Sequence, residues 1–580
     1  MDGGRGRIHG RPGRLLRSAD GRAPAGRASE ETSMSTPRIV IVGGVAGGAS
    51  AATRARRMNE QAEIVIFEKG AEVSFANCGL PYYIGGQIRQ RGRLLLATPE
   101  YFRQTFGIQV FTRHEVTRID RAGHAVEVVD LETGRSRQER YDKLILAPGA
   151  APVLPPWTGA DSLNVFVLRD VPDSDRIKAW IDQRGPRRAV IVGAGYIGLE
   201  MAEVLRGRGL EVSLVEQASR VMPLFDEVMS REIRRVLEAS GVAVHCGVGV
   251  EGLSCRDGLV EGVRLADGTL LEADMVVVAA GVRPMTRLAA EAGLAIGAGG
   301  AIAVDAHGRT SDPDIYAVGD AAEVVHAVLG RPMRVPLAGP ANRNGRLAGQ
   351  HAATGSSRPA TPVLGTSIVG FFGHAAGMTG LSLEAARAAG RDASCSFAIR
   401  GHHVGYYPGA ENMVLMLVYE RGTRKVLGAQ AVGGAGVDKR IDVIATAMHL
   451  GGTIDDLAGL DLAYAPQFGA AKDPVHIAAF GAQNQEDGLI EQLLPGDPRI
   501  AGQLVDVRTP AEHAAGTLPG AVNIPLACVR ERLGELDRSR PVCVFCGVGQ
   551  RSYNAARILS QHGFRTVYNL AGGYTLHRPG

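Results

Sequence analysis

The sequence has no uninterrupted apolar run near the roughly 18 residues that a membrane-spanning helix requires. The stretches around Val276 and Leu415 have only strand length, so no membrane partner is expected. An excess of one charge sign is also missing: 64 Lys and Arg face 60 Asp and Glu, a net of +4 over 580 residues. Much of that small excess falls ahead of Met34, which speaks against a nucleic-acid partner. Cysteines are few and scattered, namely Cys78, Cys246, Cys255, Cys395, Cys528, Cys543 and Cys546. An odd number so spread disfavours a secreted disulfide framework and predicts a reducing cytoplasm. No Cys/His cluster has zinc spacing, so no metal is expected. The opening "MDGGRGRIHGRPGRLLRSADGRAPAGRASEETSMSTP" has no apolar h-region for secretion. Its Arg, Gly and Ala content predicts a disordered extension over residues 1–35, with Met34 as an alternative start. What remains has ordinary globular composition, and its length predicts about three or four domains.

The run "RIVIVGGVAGGASAATRARR" opens as a β-branched strand, passes through Gly43, Gly44 and Gly48, and turns helical. That is the start of a nucleotide-binding βαβ unit, with a diphosphate on the helix N-terminus. The next strand, "IVIFEK", ends in Glu68, spaced to accept hydrogen bonds from a ribose. One departure is Val45 at the middle glycine of G-x-G-x-x-G. The pattern recurs intact in "RAVIVGAGYIGLEMAEVLRGRGLEVSLVEQ", at Gly193, Gly195 and Gly198, with Glu216 closing the following strand. Two such units imply two dinucleotides, a flavin and a nicotinamide. Glu216 would repel a 2′-phosphate, which predicts NADH over NADPH, although Arg220 lies close enough to argue the other way.

"YDKLILAPGA" and "ADMVVVAAGVRP" each end a strand in a Gly-containing turn, and "TSDPDIYAVGDAAE" places Asp320 after another. In this order the elements resemble the FAD- and NAD(P)H-dependent pyridine nucleotide-disulfide oxidoreductases over roughly residues 36–480. The resemblance implies an α/β chain. It has an FAD-binding domain (36–150 and 285–361), an NAD(P)H-binding domain (151–284), both Rossmann-like, and an α+β dimerisation domain (362–480). It also implies that Asp320 contacts the flavin, that Lys69, Val116 and Ala147 border FAD, and that Gly281 borders NAD. After a polar connector with a short helical patch (481–497), "QLVDVRTPAEHAAGTLPGAVNIP" and "PVCVFCGVGQRSYNAARILSQHGFRTVYNLAGGY" resemble an α/β rhodanese domain (498–580). Its marks are Asp506, Arg508, Glu512 and the loop from Cys546 to Arg551, whereas Gly516-Thr517-Leu518 stands where many rhodaneses have "GHI". Turned-in N–H groups and a helix N-terminus would favour a Cys546 thiolate. The loop length, in that family, goes with sulfur rather than phosphate transfer. Cys543, inside a buried strand, is read as packing.

Disulfide reductases with two cysteines space them C-x4-C, but from Cys78 in "SFANCGLPYYIGG" the partner position is Val73 or Tyr83. A single thiol still works if the second sulfur arrives with the substrate. This segment resembles the coenzyme A-disulfide reductase branch. With the rhodanese behind it, the chain resembles the coenzyme A-disulfide/persulfide reductases. The resemblance implies that Ser74 and Asn77 flank the nucleophile and that Ser50, Arg54 and Arg57 lie near the coenzyme A phosphates. Lys472 would be a further contact. Tyr406 and Tyr464 would reach the leaving sulfur from the other subunit of a homodimer. The expected function is NADH-driven reduction of coenzyme A persulfide, polysulfide or disulfide. An NADH oxidase or peroxidase, and a sulfur-carrier or redox-sensing protein, are the alternatives.

Overall fold

A computed structural model of the protein describes residues 36–578; the extension expected over 1–35, with Met34, lies outside the described residues. The strand Arg38–Val42 is the centre of a five-stranded parallel sheet, flanked by Glu63–Phe67 and Lys143–Leu146. Its four inner residues are buried, as expected where helices cover both faces and the sequence can be continuously β-branched. One edge strand, Ile315–Ala317, comes from far down the chain, so the first sheet closes only after the second has been built. That second sheet repeats the plan around Arg188–Val192, with Glu211–Glu216 on one side and Met275–Val278 on the other, again parallel.

The helix Ala46–Met58 is held by the helix Ala338–Thr354 at backbone contact. A Cβ on Gly345 would lie 2.3 Å from the Gly47 carbonyl oxygen, and one on Gly349 2.2 Å from that of Ala51. Small residues on both helices therefore fix where the first glycine loop points. A five-stranded antiparallel sheet follows, in the order Ser367–Phe371, His374–Gly380, Val426–Gly433, Asn412–Glu420, Ala393–Gly401. The helices Val437–His449 and Pro474–Glu486 bury Ile441, Ile444, Ala478 and Ala482 with Leu415 and Leu417 from this sheet. It is tied to the second dinucleotide unit through Asp226, whose buried carboxylate accepts the N–H groups of Leu383 (2.8 Å) and Glu384 (3.0 Å) and the amide of Gln430 (2.7 Å).

The last sheet is parallel, in the order Glu491–Leu493, Val567–Leu570, Val542–Phe545, Gln503–Asp506, Val522–Asn523. Part of the segment expected to be a connector is thus ordered structure. Pro474–Glu486 runs through residue 481 as one helix, and Glu491–Leu493 pairs with Val567–Leu570. A short helical patch is legible in this sequence, whereas its polar composition hid the strand. Half of the helix's buried residues are alanines, and the strand has one deeply buried side chain, Leu493. This final unit sits against the rest of the chain. Ala571 and Leu576 join a buried cluster with Leu205 and Met229, while Arg231 and Arg235 donate to the carbonyls of Leu576 and Thr575, each at 3.3 Å.

Candidate functional site

The two glycine loops build matching cradles. Gly43 and Gly193 sit at φ +91° and +106°, where a Cβ would strike the carbonyl oxygens of Ala147 and Ala279 at 2.2 and 2.3 Å. Gly48 and Gly198 let each helix approach the preceding loop, since a Cβ on either would lie 1.9 and 2.0 Å from the carbonyl oxygens of Gly43 and Gly193. Above Gly195 the space is open. Each following helix begins without a side-chain cap and without an acidic residue in its first turn, which leaves N–H groups for an anion. Glu68 accepts from the N–H groups of Gly44 and Gly70, both at 2.7 Å. Glu216 accepts from those of Ala194 (2.8 Å) and Ala218 (2.9 Å). Uncapped N-termini and an oriented carboxylate in each cradle, with open space at Gly195 in the second, fit a dinucleotide in each. Arg220, which by sequence argued for NADPH, is instead committed to Glu384 at 2.6 Å. Gly281 lies at φ +101° with nothing against it. Lys69 pairs with Glu115 at 2.9 Å and Val116 is buried.

Cys78 lies on the single turn Asn77–Gly79, ahead of the helix Leu80–Ile84, and is open to solvent. Ser74 adopts φ +48°, its N–H donating to the Gly44 carbonyl at 2.9 Å and its own carbonyl receiving the N–H of Leu96 at 2.8 Å. The nucleophile segment is therefore pinned to the first glycine loop. Partial burial pushes the Cys78 thiol up, and the carboxylates of Glu200 and Asp320 push it the same way. Asp320 is itself raised by burial, opposed by Arg169 and Arg334. Sequence reasoning missed Glu200. It follows Gly198 by two positions and takes a 3.1 Å hydrogen bond from Tyr82, whose hydroxyl is pushed up to about 12 by burial and by Glu200. The only signal was a carboxylate in the second fingerprint helix, and nothing local ties it to Cys78.

Ser50 and Arg54 face the helix Ala338–Thr354. Ser50 Oγ donates to Asn342 Oδ1 at 2.7 Å and Arg54 Nη2 to Gln350 Oε1 at 2.6 Å. Burial, Arg346 and Arg57 all lower Arg54, which places three guanidinium groups in one field. Arg57 also lies over the Phe106 ring at 5.2 Å. Asn342, Arg346 and Gln350 were missed because "GPANRNGRLAGQ" carries no motif, only polar residues between packing glycines. Asn77 and Lys472 are exposed. The hydroxyls of Tyr406 and Tyr464 lie 2.9 Å apart, and both rings are exposed.

In the final unit Cys546 heads the loop between Val542–Phe545 and the helix Gln550–Gln561. Its buried Sγ receives the N–H of Gly549 at 3.2 Å and lies 3.5 Å from Ser552 Oγ. Arg551 grips Glu512 with both Nη atoms, at 2.8 and 2.7 Å, and holds that carboxyl down to about 2. Asp506 is buried under Arg508, His513 and Thr517. Thr517 donates at 2.9 Å from the place where a histidine is usual. Cys543 is fully buried and pushed up to about 11 by that burial, as its reading as packing requires.

Paired dinucleotide cradles around a lone reactive thiol define a flavin- and nicotinamide-dependent oxidoreductase. The chain belongs to the pyridine nucleotide-disulphide oxidoreductase family, which it matches over residues 37–341. The dimerisation domain of that family matches residues 366–474, and a rhodanese-like domain residues 489–576. The coenzyme A disulfide reductase of Staphylococcus haemolyticus is 36% identical over 447 residues, 77% of this chain and 99% of that protein. Two solved structures span all the units. Reduced CoADR-RHD of Bacillus anthracis has 41% identity and a TM-score of 0.89, over 93% of this chain and 97% of its own. A NAD-dependent persulfide reductase from A. fulgidus has 37% identity and a TM-score of 0.88, over 93% and 99%. No helix among the described residues is long and apolar enough to cross a membrane.

Proposed function

We propose that the protein is a cytoplasmic homodimer that uses NADH to reduce coenzyme A disulfide or coenzyme A persulfide at Cys78. The observation that carries this reading is a solvent-open thiol beside a dinucleotide cradle with no cysteine to pair with, since all seven are free. Cys78 attacks the S–S bond of the substrate; a Cys78–sulfur bond forms, and coenzyme A thiolate or hydrosulfide leaves with a proton. FAD, when bound at Gly43, Gly44, Gly48, Glu68 and Asp320, supplies the two-electron reduction of that mixed disulfide at the expense of NADH held at Gly193, Gly195, Gly198 and Glu216. Ser50, Arg54 and Arg57, with Asn342 and Arg346, hold the coenzyme A phosphates, and Lys472 adds charge. Ser74 and Asn77 border the sulfur. Tyr406 and Tyr464, paired by their hydroxyls, protonate the leaving sulfur of the opposite subunit. Cys546 accepts sulfane sulfur, with Arg551 and the loop N–H groups steadying the persulfide, and the tether keeps that sulfur at roughly millimolar effective concentration.

The relatives described as a coenzyme A disulfide reductase and a NAD-dependent persulfide reductase support this reading. The test is anaerobic NADH turnover of wild type, Cys78→Ser and Cys546→Ser on coenzyme A disulfide, coenzyme A persulfide and polysulfide. Cys78→Ser should lose activity on all three by about a thousandfold or more while keeping its flavin. Cys546→Ser should keep the disulfide activity and lose rate on the sulfane substrates. Unchanged sulfide release from Cys78→Ser overturns the reading.

A further inference from the structure

Tyr406 and Tyr464 stand on segments with little internal support. Residues 402–411 and 459–473 contain no helix or strand, and residues 405–410 are all exposed, so apolar packing does not fix where Tyr406 lies. Both segments are tied instead to Arg440 of the helix Val437–His449, a side chain only 1% exposed. Its guanidinium donates to Asp473 through Nε at 3.2 Å and through Nη2 at 2.7 Å. The same Nη2 donates to the His402 carbonyl at 2.8 Å, and Nη1 to that of Gly436 at 3.2 Å. Asp473, also buried, accepts the Val475 N–H at 3.1 Å and so caps the helix Pro474–Glu486. His476, in the first turn of that helix, accepts the Asp473 N–H at Nδ1 (3.1 Å). Its Nε2 therefore carries the proton and donates to the Leu460 carbonyl at 2.8 Å. The Val404 N–H, donating to the Gly469 carbonyl at 3.1 Å, joins the two segments directly.

We propose that Arg440, with Asp473, is the positioning residue of the tyrosine pair: it sets one segment against the other and so holds the two hydroxyls at 2.9 Å. A buried ion pair is a weak source of net stability, because desolvation offsets the Coulomb attraction and apolar side chains of like volume would pack as well. Apolar side chains cannot, however, donate in fixed directions to a loop carbonyl and a helix cap at once. The hydrogen bonds of Arg440 go to Asp473 and to loop backbone, none to either hydroxyl, so it acts through the loops. A lysine would not replace it, since one ammonium has no planar fork to span Asp473 and the His402 carbonyl together. Lys439 Nζ, 3.9 Å from the same carboxylate, leaves Asp473 a charge partner when Arg440 is changed. The effect on turnover rests on the proposed protonation of the leaving sulfur by this pair; the geometry does not.

Fluorine NMR of the full-length, flavin-loaded protein carrying 3-fluorotyrosine tests the geometry without reference to rate. The Tyr406 resonance, assigned by its loss in Tyr406→Phe, should move when Tyr464→Phe removes its hydrogen-bond partner. In Arg440→Lys, and in Arg440→Met/Asp473→Asn, which removes both buried charges, that response should shrink to about half or less, with cooperative melting and bound flavin retained. Arg440→Lys alone decides the matter where the double variant loses its fold. On coenzyme A disulfide, kcat should fall about tenfold or more in both variants, while single-turnover reduction of the flavin by NADH keeps its wild-type rate. Adding Arg440→Lys to Tyr406→Phe/Tyr464→Phe should cost nothing further. If Tyr406→Phe/Tyr464→Phe turns over as wild type does, the acid role of the pair fails and the resonances alone decide the positioning. A Tyr406 resonance that ignores Tyr464→Phe in the wild type, or responds equally without Arg440, overturns the proposal. So does a turnover loss in Arg440→Lys that persists in full without the tyrosine hydroxyls.

Discussion

At Cys78 the protein surrounds a nucleophile with groups that oppose its ionisation: partial burial, then Glu200, then Asp320. Each raises the cost of the thiolate, so the pH profile of the thiol reports its neighbours. Iodoacetamide labelling of Cys78 should titrate above an ordinary thiol, and Glu200→Gln, by removing a negative charge, should bring that midpoint down. An unchanged midpoint would mean that Glu200 is too well screened to matter. In the rhodanese-like unit Arg551 holds Glu512 down to about 2. The unfolded carboxyl titrates near its ordinary value of about 4.3. Stability from this pair is therefore present above that value and lost as pH falls toward about 2. Melting curves for Glu512→Gln should show a flatter acid limb than wild type, with the difference moderated by solvent because the pair is partly exposed.

At the scale of elements, the crossing of Ala46–Met58 over Ala338–Thr354 is what aims the first glycine loop. Gly349→Ala puts a methyl 2.2 Å from the Ala51 carbonyl oxygen and should cost about 1–3 kcal/mol. Melting temperature and bound flavin should fall together, because the displaced helix begins at the cradle. The C-terminal helix Gly573–His577 has a different sensitivity. Burial, with Arg231 nearby, pushes His577 down to about 4, and its Nε2 lies 3.1 Å from the Ala571 carbonyl. Folded His577 stays neutral where an unfolded histidine, with a pKa of about 6.5, takes up a proton. Stability should hold above that value and decline as pH falls through the window to about 4, while His577→Gln should flatten the decline in a pH series of melting curves. The glycine loops and strands of both dinucleotide units were legible because each is local: β-branched run, glycines, helix, acidic strand end. The strand Glu491–Leu493 was not, since small or polar residues become core only when another element covers them.

For the whole molecule, the proposed division of labour puts Cys78 in one subunit and the tyrosine pair of the same catalytic centre in the other. Subunit mixing tests this without any assumption about rates. Cys78→Ser and the double variant Tyr406→Phe/Tyr464→Phe should each be nearly inactive, yet refolded mixtures should regain activity. Each heterodimer carries one intact site, so about half the wild-type rate per heterodimer is expected. Mixtures no better than their parents would place all the catalytic groups within a single chain. Asp226 is the matching single-chain device. It joins the second dinucleotide unit to the antiparallel sheet through three hydrogen bonds in a buried setting, so the face bearing Tyr406 is set relative to the nicotinamide cradle by packing as well as by sequence order.

By itself the sequence determined the chemistry available: two dinucleotide folds, one unpaired thiol, and a second thiol heading a loop of small residues. These depend on neighbours within a few positions, and short-range sterics and hydrogen bonding decide them. Tertiary structure alone decided which charges share a field. Glu200 comes to Cys78 from more than a hundred residues away, Asn342 meets Ser50 across 292, and Glu384 pairs with Arg220 from another part of the chain. Coulomb energy and desolvation depend on distance in space, and only the packed helices and sheets set those distances.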